Sequence, residues 1–210
     1  MTDAIGDLAT PRPAAPIPTI HPLIVRTTHW INAAAVLVMI ASGWEIYNAS
    51  PILPFRFPSA LTLGGWLGGA LLWHFAAMWV LALNFVVLVG YGLASGRYRR
   101  KLWPIRPREI LADIRDALHG KLSHADPAHY NAVQKLLYAG VLGLIALVMI
   151  SGLAIWKPVQ FQVLTDLFGG FQGARLVHFL AMAGIVGFIL VHVGMALLVP
   201  RTIKAMVRGR

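Results

Sequence analysis

The sequence contains no cysteine, and few of its residues are charged. Without cysteine the chain cannot form disulfides, thiolate-held iron–sulfur clusters, Cys-rich zinc sites or the C-x-x-C-H attachment of a c-type haem. Charged residues make up only 12% of the 210 residues and hydrophobic residues 58%, which is far from the composition of a soluble domain. Any haem must therefore be held non-covalently, and the expected medium is a lipid bilayer.

Acidic residues are scarce, with 8 Asp and Glu against 18 Lys and Arg, a formal net charge of +10. The basic residues lie in blocks between apolar stretches instead of along one polar face, so we predict contact with membrane lipid and no nucleic-acid partner. Residues Met1 to Ile20 are Pro-rich and lack the basic and apolar regions of a cleavable signal peptide. We expect a flexible tail over residues 1–20, followed by one domain over residues 21–210.

Four stretches contain no Asp, Glu, Lys or Arg and are each long enough to cross a membrane. A hydrocarbon core of about 30 Å needs about 20 helical residues, and only helices or closed barrels satisfy backbone groups in lipid. Because the stretches lack period-2 alternation, they predict an all-α membrane protein with a four-transmembrane-helix bundle. They run from Thr27 to Trp44, Phe57 to Gly96 (with the span itself from about Trp66 to Leu93), Leu136 to Trp156, and Leu176 to Pro200.

The basic residues outside these stretches predict the orientation. Fifteen of the 18 Lys and Arg lie before the first stretch, between the second and third, or after the fourth, whereas Arg56, Lys157 and Arg175 occupy the other two connections. Because cytoplasmic loops retain basic residues, we expect both termini in the cytoplasm. The cytoplasmic loop also contains an amphipathic stretch, Pro107 to Lys121, which predicts an interfacial helix on the membrane surface rather than a docking element.

Two pairs of short segments suggest an internal repeat. LVMIASG, from Leu37 to Gly43, resembles LVMISG, from Leu147 to Gly152, and HFAAM, from His74 to Met78, resembles HFLAM, from His178 to Met182. Spans one and two therefore echo spans three and four, which predicts a parallel repeat about an axis along the membrane normal. Chance similarity between apolar helices is the alternative.

Histidines are the residues in these stretches that titrate near neutral pH, and intramembrane ionisable residues are by default functional candidates. His178 and His192 are fourteen residues apart, about 3.9 helical turns and 21 Å of rise, so they lie on nearly one helix face at two depths. In the predicted orientation, His74 matches the depth of His178, and His29 matches that of His192. The spacing predicts two bis-histidine sites, one per leaflet.

Two facing imidazoles suit the axial positions of an iron porphyrin, whereas zinc needs a third or fourth ligand and Glu45 is the only acid near a span. We therefore expect two non-covalently bound haem b groups. Arg26 and Arg175 each precede a proposed ligand by one helical turn and are candidates for binding the haem propionates or for anchoring in lipid headgroups. Gly43 and Gly152 are candidates for close approach of a helix to the macrocycle, or for ordinary helix contacts.

Short motifs along the chain also carry a family resemblance. They are Arg26-x-x-His29-Trp30, Trp73-His74, Tyr130-Asn131-x-x-Gln134-Lys135 before Ser151-Gly152, and Arg175-x-x-His178 with His192. This arrangement resembles the bacterial cytochrome b561 and Ni-hydrogenase-type cytochrome b family, which includes the haem-bearing subunits of membrane formate dehydrogenases and hydrogenases. The resemblance implies a multi-pass protein of the bacterial inner membrane that exchanges electrons between quinone and a partner, often a periplasmic molybdenum enzyme, hydrogenase or c-type cytochrome.

Two other functions are compatible with the sequence. A stand-alone quinone oxidoreductase could act on a small substrate such as superoxide without any partner. A cofactor-free, proton-coupled transporter could use the histidines as a proton relay, and it would be colourless. Whether the chain is an enzyme by itself or an electron-transfer subunit, and whether it forms a homodimer, stay open at this stage.

Overall fold

The computed structural model describes residues 21–104, 106–119 and 132–209, and within these ranges it is helical and contains no strand. The predicted tail, Met1 to Ile20, lies outside the described residues. Four helices are long: α1 (Leu23–Ala49), α2 (Leu67–Ala94), α5 (Ala132–Trp156) and α7 (Gly170–Leu198). The short elements are a 3-10 turn (Ser59–Leu61), α3 (Arg97–Leu102), α4 (Pro107–Leu118), α6 (Gln162–Leu167) and α8 (Pro200–Arg208).

Each of these four long helices has the length and apolar composition needed to cross a membrane, which confirms the predicted number of spans. Their ends differ from the predicted ones, because a charged residue marks the edge of the apolar region and does not end a helix. Helix α1 continues through Arg26 and Glu45, and α7 begins at Gly170, before Arg175. Helices α1, α5 and α7 therefore begin before the apolar stretches that identified them, whereas α2 nearly matches its predicted span from about Trp66 to Leu93.

The long helices pack as two pairs, α1 with α2 and α5 with α7. Small residues lie at the contacts, and Ala70, Ala154 and Ala174 are fully buried. Small side chains allow close approach of helices in lipid, where burying apolar surface gives no driving force for association. A core made of Ile145, Val148, Ala181 and Ile185 joins the second pair to residues of the first.

The connection between α1 and α2 folds back onto the end of α1. The Asn48 amide donates to the Phe57 carbonyl at 2.9 Å, and the Phe57 amide donates to Asn48 Oδ1 at 2.8 Å. Phe57 stacks on Trp44 with ring centroids 4.5 Å apart, and Tyr47 stacks on Phe179 of α7 at 5.1 Å. These aromatic side chains pack against one another and tie α1 to α7 at this end of the bundle.

The surface helices were only partly predicted. Helix α4 begins at Pro107 as expected and ends at Leu118, while the predicted end at Lys121 lies outside the described residues. Helix α8 was not predicted, because the apolar stretch of the fourth span ends at Pro200. The chain leaves the α-helical conformation at Val199 and begins a new helix with Pro200 in its first turn. Proline fits there because backbone N–H groups in the first turn have no hydrogen-bond partner within the helix.

Candidate functional site

The four predicted histidines lie in two facing pairs. His74 of α2 faces His178 of α7, with ring centroids 6.4 Å apart and ring planes inclined by 60°. His29 of α1 faces His192 of α7, with centroids 6.0 Å apart and planes inclined by 50°. The structure thus brings together the histidines that the sequence analysis matched by depth, and α7 contributes one histidine to each pair.

Both separations fit one metal ion between two imidazoles. Because an imidazole nitrogen binds a metal at about 2.0–2.1 Å, two rings on opposite sides of one ion have centroids about 6 Å apart. Across the part of the chain that the structure describes, no group of three or more His, Cys, Asp or Glu residues converges on a metal position. Each site therefore offers two facing imidazoles, which would suit an iron whose remaining ligands come from a porphyrin.

His74 and His178, called the outer pair after the orientation predicted from the basic residues, have hydrogen-bond partners that the sequence did not predict. Ser42 Oγ lies 3.0 Å from His74 Nδ1, and Ser151 Oγ lies 3.1 Å from His178 Nδ1. Both serine side chains are fully buried. Their one trace in the sequence is the Ser-Gly that ends both copies of the repeat, but nothing local showed that these serines contact histidines on another helix.

Gly43 and Gly152 follow these serines and lie against the same imidazoles. A Cβ built on Gly43 would be 3.4 Å from His74 Cε1, and one built on Gly152 would be 3.3 Å from His178 Cε1. The absent side chain therefore leaves the space that the histidine ring occupies. The Ser-Gly of α1 supports a histidine on α2, and the Ser-Gly of α5 supports a histidine on α7, which gives the sequence repeat a physical role.

The inner pair, His29 and His192, has different surroundings. Phe188 stacks on His192 with centroids 5.4 Å apart and planes inclined by 14°, and Trp30 meets His29 edge-on at 5.1 Å. His29 Nδ1 is buried, and among the described residues it has no hydrogen-bond partner. Buried polar atoms in native proteins are nearly always paired, so this nitrogen marks a place where a further ligand or a water belongs.

A buried asparagine of α2 flanks the inner pair. The Asn84 amide donates to the Thr28 carbonyl at 2.7 Å and to Asn32 Oδ1 at 2.6 Å. Its two acceptors lie on either side of His29 along α1. Asn84 therefore sets the position of α1 relative to α2 next to the inner pair.

The two predicted arginines bind backbone carbonyls at the ends of neighbouring helices. Arg26 donates through Nε to the Met206 carbonyl at 3.3 Å and through Nη2 to the Val207 carbonyl, both near the end of α8. Arg175 donates to Gln172 Oε1 at 2.9 Å and to the Ser50 carbonyl at the end of α1. These bonds use two of the five N–H donors of each guanidinium, so each arginine keeps donors for an anion.

His21, just before α1, lies among basic residues of α1 and α3. The Arg97 guanidinium lies 3.4 Å from His21 Nδ1. Burial, and then the positive charges of Arg97, Lys101 and Arg26, lower the pKa of His21 to about 4. His21 is therefore neutral at physiological pH and adds no charge to this cluster.

The fold and the histidine pairs define a helical membrane protein with two candidate bis-histidine sites. The family model described as prokaryotic cytochrome b561 matches residues 20–209, and the chain belongs to this family. Family membership, together with the four membrane-spanning helices, identifies a multi-pass protein of the bacterial inner membrane that binds b-type haem and acts in electron transport. The predicted family, the all-α fold with four membrane-spanning helices and the localisation are confirmed, and the cytoplasmic position of both termini stays a prediction.

Curated relatives agree with this assignment. The chain is 52% identical over 190 residues to YedZ1 of Azospira oryzae, which is named as a candidate protein-methionine-sulfoxide reductase subunit, and the match covers 90% of this chain and 96% of the relative. It is 26% identical to the cytochrome b556(fdo) subunit of Escherichia coli formate dehydrogenase, covering 88% and 81%. It is 24% identical to a candidate Ni/Fe-hydrogenase B-type cytochrome subunit of Bradyrhizobium diazoefficiens, covering 91% and 81%. These relatives imply an oxidoreductase partner.

Proposed function

We propose that the chain is a dihaem cytochrome b subunit that carries electrons between membrane quinone and a partner reductase. His74 and His178 hold the outer haem, and His29 and His192 hold the inner haem. The observation that carries the proposal is the presence of two facing histidine pairs that share α7, with ring centroids 6.4 Å and 6.0 Å apart.

The spacing of the two sites suits electron transfer across the membrane. His178 and His192 are fourteen residues apart on α7, which is about 21 Å of helix rise and most of a hydrocarbon core of about 30 Å. When bound, the haems supply one-electron redox chemistry. The protein binds and orients them, and the apolar core that includes Ala181 and Ile185 excludes water between the two depths.

Arg26 and Arg175 are positioned to stabilise the propionates. Each lies one helical turn before a proposed ligand, and each has N–H donors beyond the two used for backbone and Gln172 acceptors. Each arginine would bind the propionates nearest its own histidine. Without such cations, two carboxylates per haem would be costly to hold near the apolar region.

A methionine-sulfoxide reductase is the partner that the relatives favour. The support is the 52% identity to YedZ1 over nearly the full length of both chains, compared with 24% and 26% for the hydrogenase and formate dehydrogenase subunits. The excess of basic residues in the loops assigned to the cytoplasm supports a periplasmic position for the outer pair. Electrons would then pass from quinol through the haems to a partner on the periplasmic face.

Haem content tests the two sites. Protein purified from haem-replete cells should contain two haem b groups per chain and show a reducible low-spin spectrum. His74→Ala or His178→Ala should remove one haem, His29→Ala or His192→Ala should remove the other, and His21→Ala should remove none. Folded wild-type protein without haem would refute the proposal and favour the proton-coupled transporter, and loss of both haems from one substitution would refute independent sites.

Electron transfer tests the partner. The reduced cytochrome should be reoxidised by methionine sulfoxide only when the partner reductase is present, and a quinol analogue should reduce it again. Reoxidation by a small substrate such as superoxide, at full rate and without any added protein, would instead identify a stand-alone oxidoreductase.

A further inference from the structure

We propose that Ser42 and Ser151 are positioning residues that hold His74 and His178 in the tautomer needed for binding iron. The inference rests on the proposed ligation of the outer haem by these two histidines. It adds a role for two buried hydroxyl groups that lie outside the metal-binding set.

The single proton of each serine hydroxyl determines which tautomer the neighbouring histidine adopts. A serine hydroxyl carries a single proton, and a backbone carbonyl can only accept a hydrogen bond. Ser42 Oγ lies 2.6 Å from the Val38 carbonyl oxygen, four residues earlier on α1, so the hydroxyl proton is used there. The same oxygen lies 3.0 Å from His74 Nδ1 and can only accept from it. His74 Nδ1 therefore carries the proton.

Ser151 repeats this arrangement on α5. Its Oγ lies 2.6 Å from the Leu147 carbonyl oxygen and 3.1 Å from His178 Nδ1. Both serines are fully buried, so no bulk water competes for the bond. Each hydroxyl is also polarised by the carbonyl that it bonds, which makes its oxygen a better acceptor.

The consequence is a pair of rings prepared for a metal. A neutral imidazole with its proton on Nδ1 leaves the lone pair of Nε2 free, and a hydrogen bond from Nδ1 makes Nε2 a stronger donor to the metal. The serines also restrict rotation of the two rings. At the inner pair, His29 Nδ1 has no such partner among the described residues. The inner haem can therefore serve as an internal reference.

Ser42→Ala and Ser151→Ala test the inference. Removing such a bond lowers metal-site affinity by about 10–100-fold, which we expect as faster transfer of the outer haem to excess apomyoglobin. A strong donor stabilises ferric iron more than ferrous iron, so the variants should lose more affinity for the ferric form. The midpoint potential of the outer haem should therefore rise, by about 59 mV for each tenfold by which the ferric loss exceeds the ferrous loss. The inner haem should keep its potential. Ser42→Thr, which retains a hydroxyl, should keep part of the wild-type haem affinity and potential.

Ser95→Ala is the matched control. Ser95 Oγ also donates to the carbonyl four residues earlier, Tyr91, at 2.6 Å, and this bond does not involve a histidine. If wild-type protein contains two haems and the Ser42 and Ser151 variants match Ser95→Ala in outer-haem transfer rate and potential, the inference is wrong and the proposed function stands. If wild-type protein lacks the outer haem, the proposed function fails, and the inference fails with it.

Discussion

Gly152 offers a test of how tightly the outer imidazoles are packed. In the Gly152→Ala variant the new Cβ would lie 3.3 Å from His178 Cε1 and 3.6 Å from His178 Nδ1. Contacts between carbon atoms are most favourable at about 3.5–4.0 Å. The imidazole must therefore move away by a few tenths of an ångström, away from the orientation that Ser151 supports.

Two opposing contributions set the size of the effect on stability. Alanine is about 0.8–1.0 kcal/mol more favourable than glycine inside a helix, and forcing a side chain away from its preferred rotamer costs about 0.5–1.5 kcal/mol. These contributions nearly cancel in Gly152→Ala. In Gly143→Ala, on the same helix, the new Cβ would meet nothing within 4 Å among the described residues beyond its chain neighbours and the adjacent helix backbone, so only the gain remains.

The two variants can be compared by thermal unfolding in detergent and by redox titration of the haems. We expect Gly143→Ala to raise the unfolding temperature and leave both haems unchanged. Gly152→Ala should leave the unfolding temperature near that of the wild type and shift the potential of the outer haem alone. Gly43→Ala should act in the same direction but more weakly, since its Cβ lies slightly farther from His74. A Gly152→Ala variant that gains as much stability as Gly143→Ala, with an unchanged outer haem, would refute the packing argument.

Two further predictions concern residues next to the inner pair and before α1. Asn84→Leu removes hydrogen bonds to Thr28 and Asn32. Such bonds between membrane helices are worth about 0.6 kcal/mol each and at most about 1.7. Denaturant unfolding should therefore show a free energy of unfolding lower by about 1–3 kcal/mol, with the inner haem released first. Stability equal to that of Ser95→Ala would contradict this. Because burial and nearby cations lower the pKa of His21 to about 4 from 6.5, the unfolded chain binds more protons between these values, and stability should fall as the pH decreases from 6.5 to 4. His21→Gln should flatten that part of the pH dependence of the unfolding temperature, and an unchanged profile would count against the partly buried position of His21.

The sequence alone determined the four long helices, because a charge-free stretch of about 20 residues has few stable structures in lipid other than a helix. It also predicted which histidines face each other, because the fourteen-residue gap on α7 and the direction of each span place the side chains at two matched depths. Helix ends were less predictable. Arg26 and Arg175 come directly before the apolar stretches but lie inside their helices. The composition becomes basic after Pro200, but this change does not show that the chain forms another helix, α8.

Only the tertiary structure showed what supports the histidines. Ser42 and His74 are 32 residues apart and lie on different helices, so their hydrogen bond depends on how α1 packs against α2. For the same reason, the carbonyls that bind Arg26 could not be predicted, since they lie 180 residues away near the end of α8. Helix formation in a membrane follows from local composition, whereas a hydrogen bond between helices depends on their relative rotation and depth, which are decided by packing over the whole bundle.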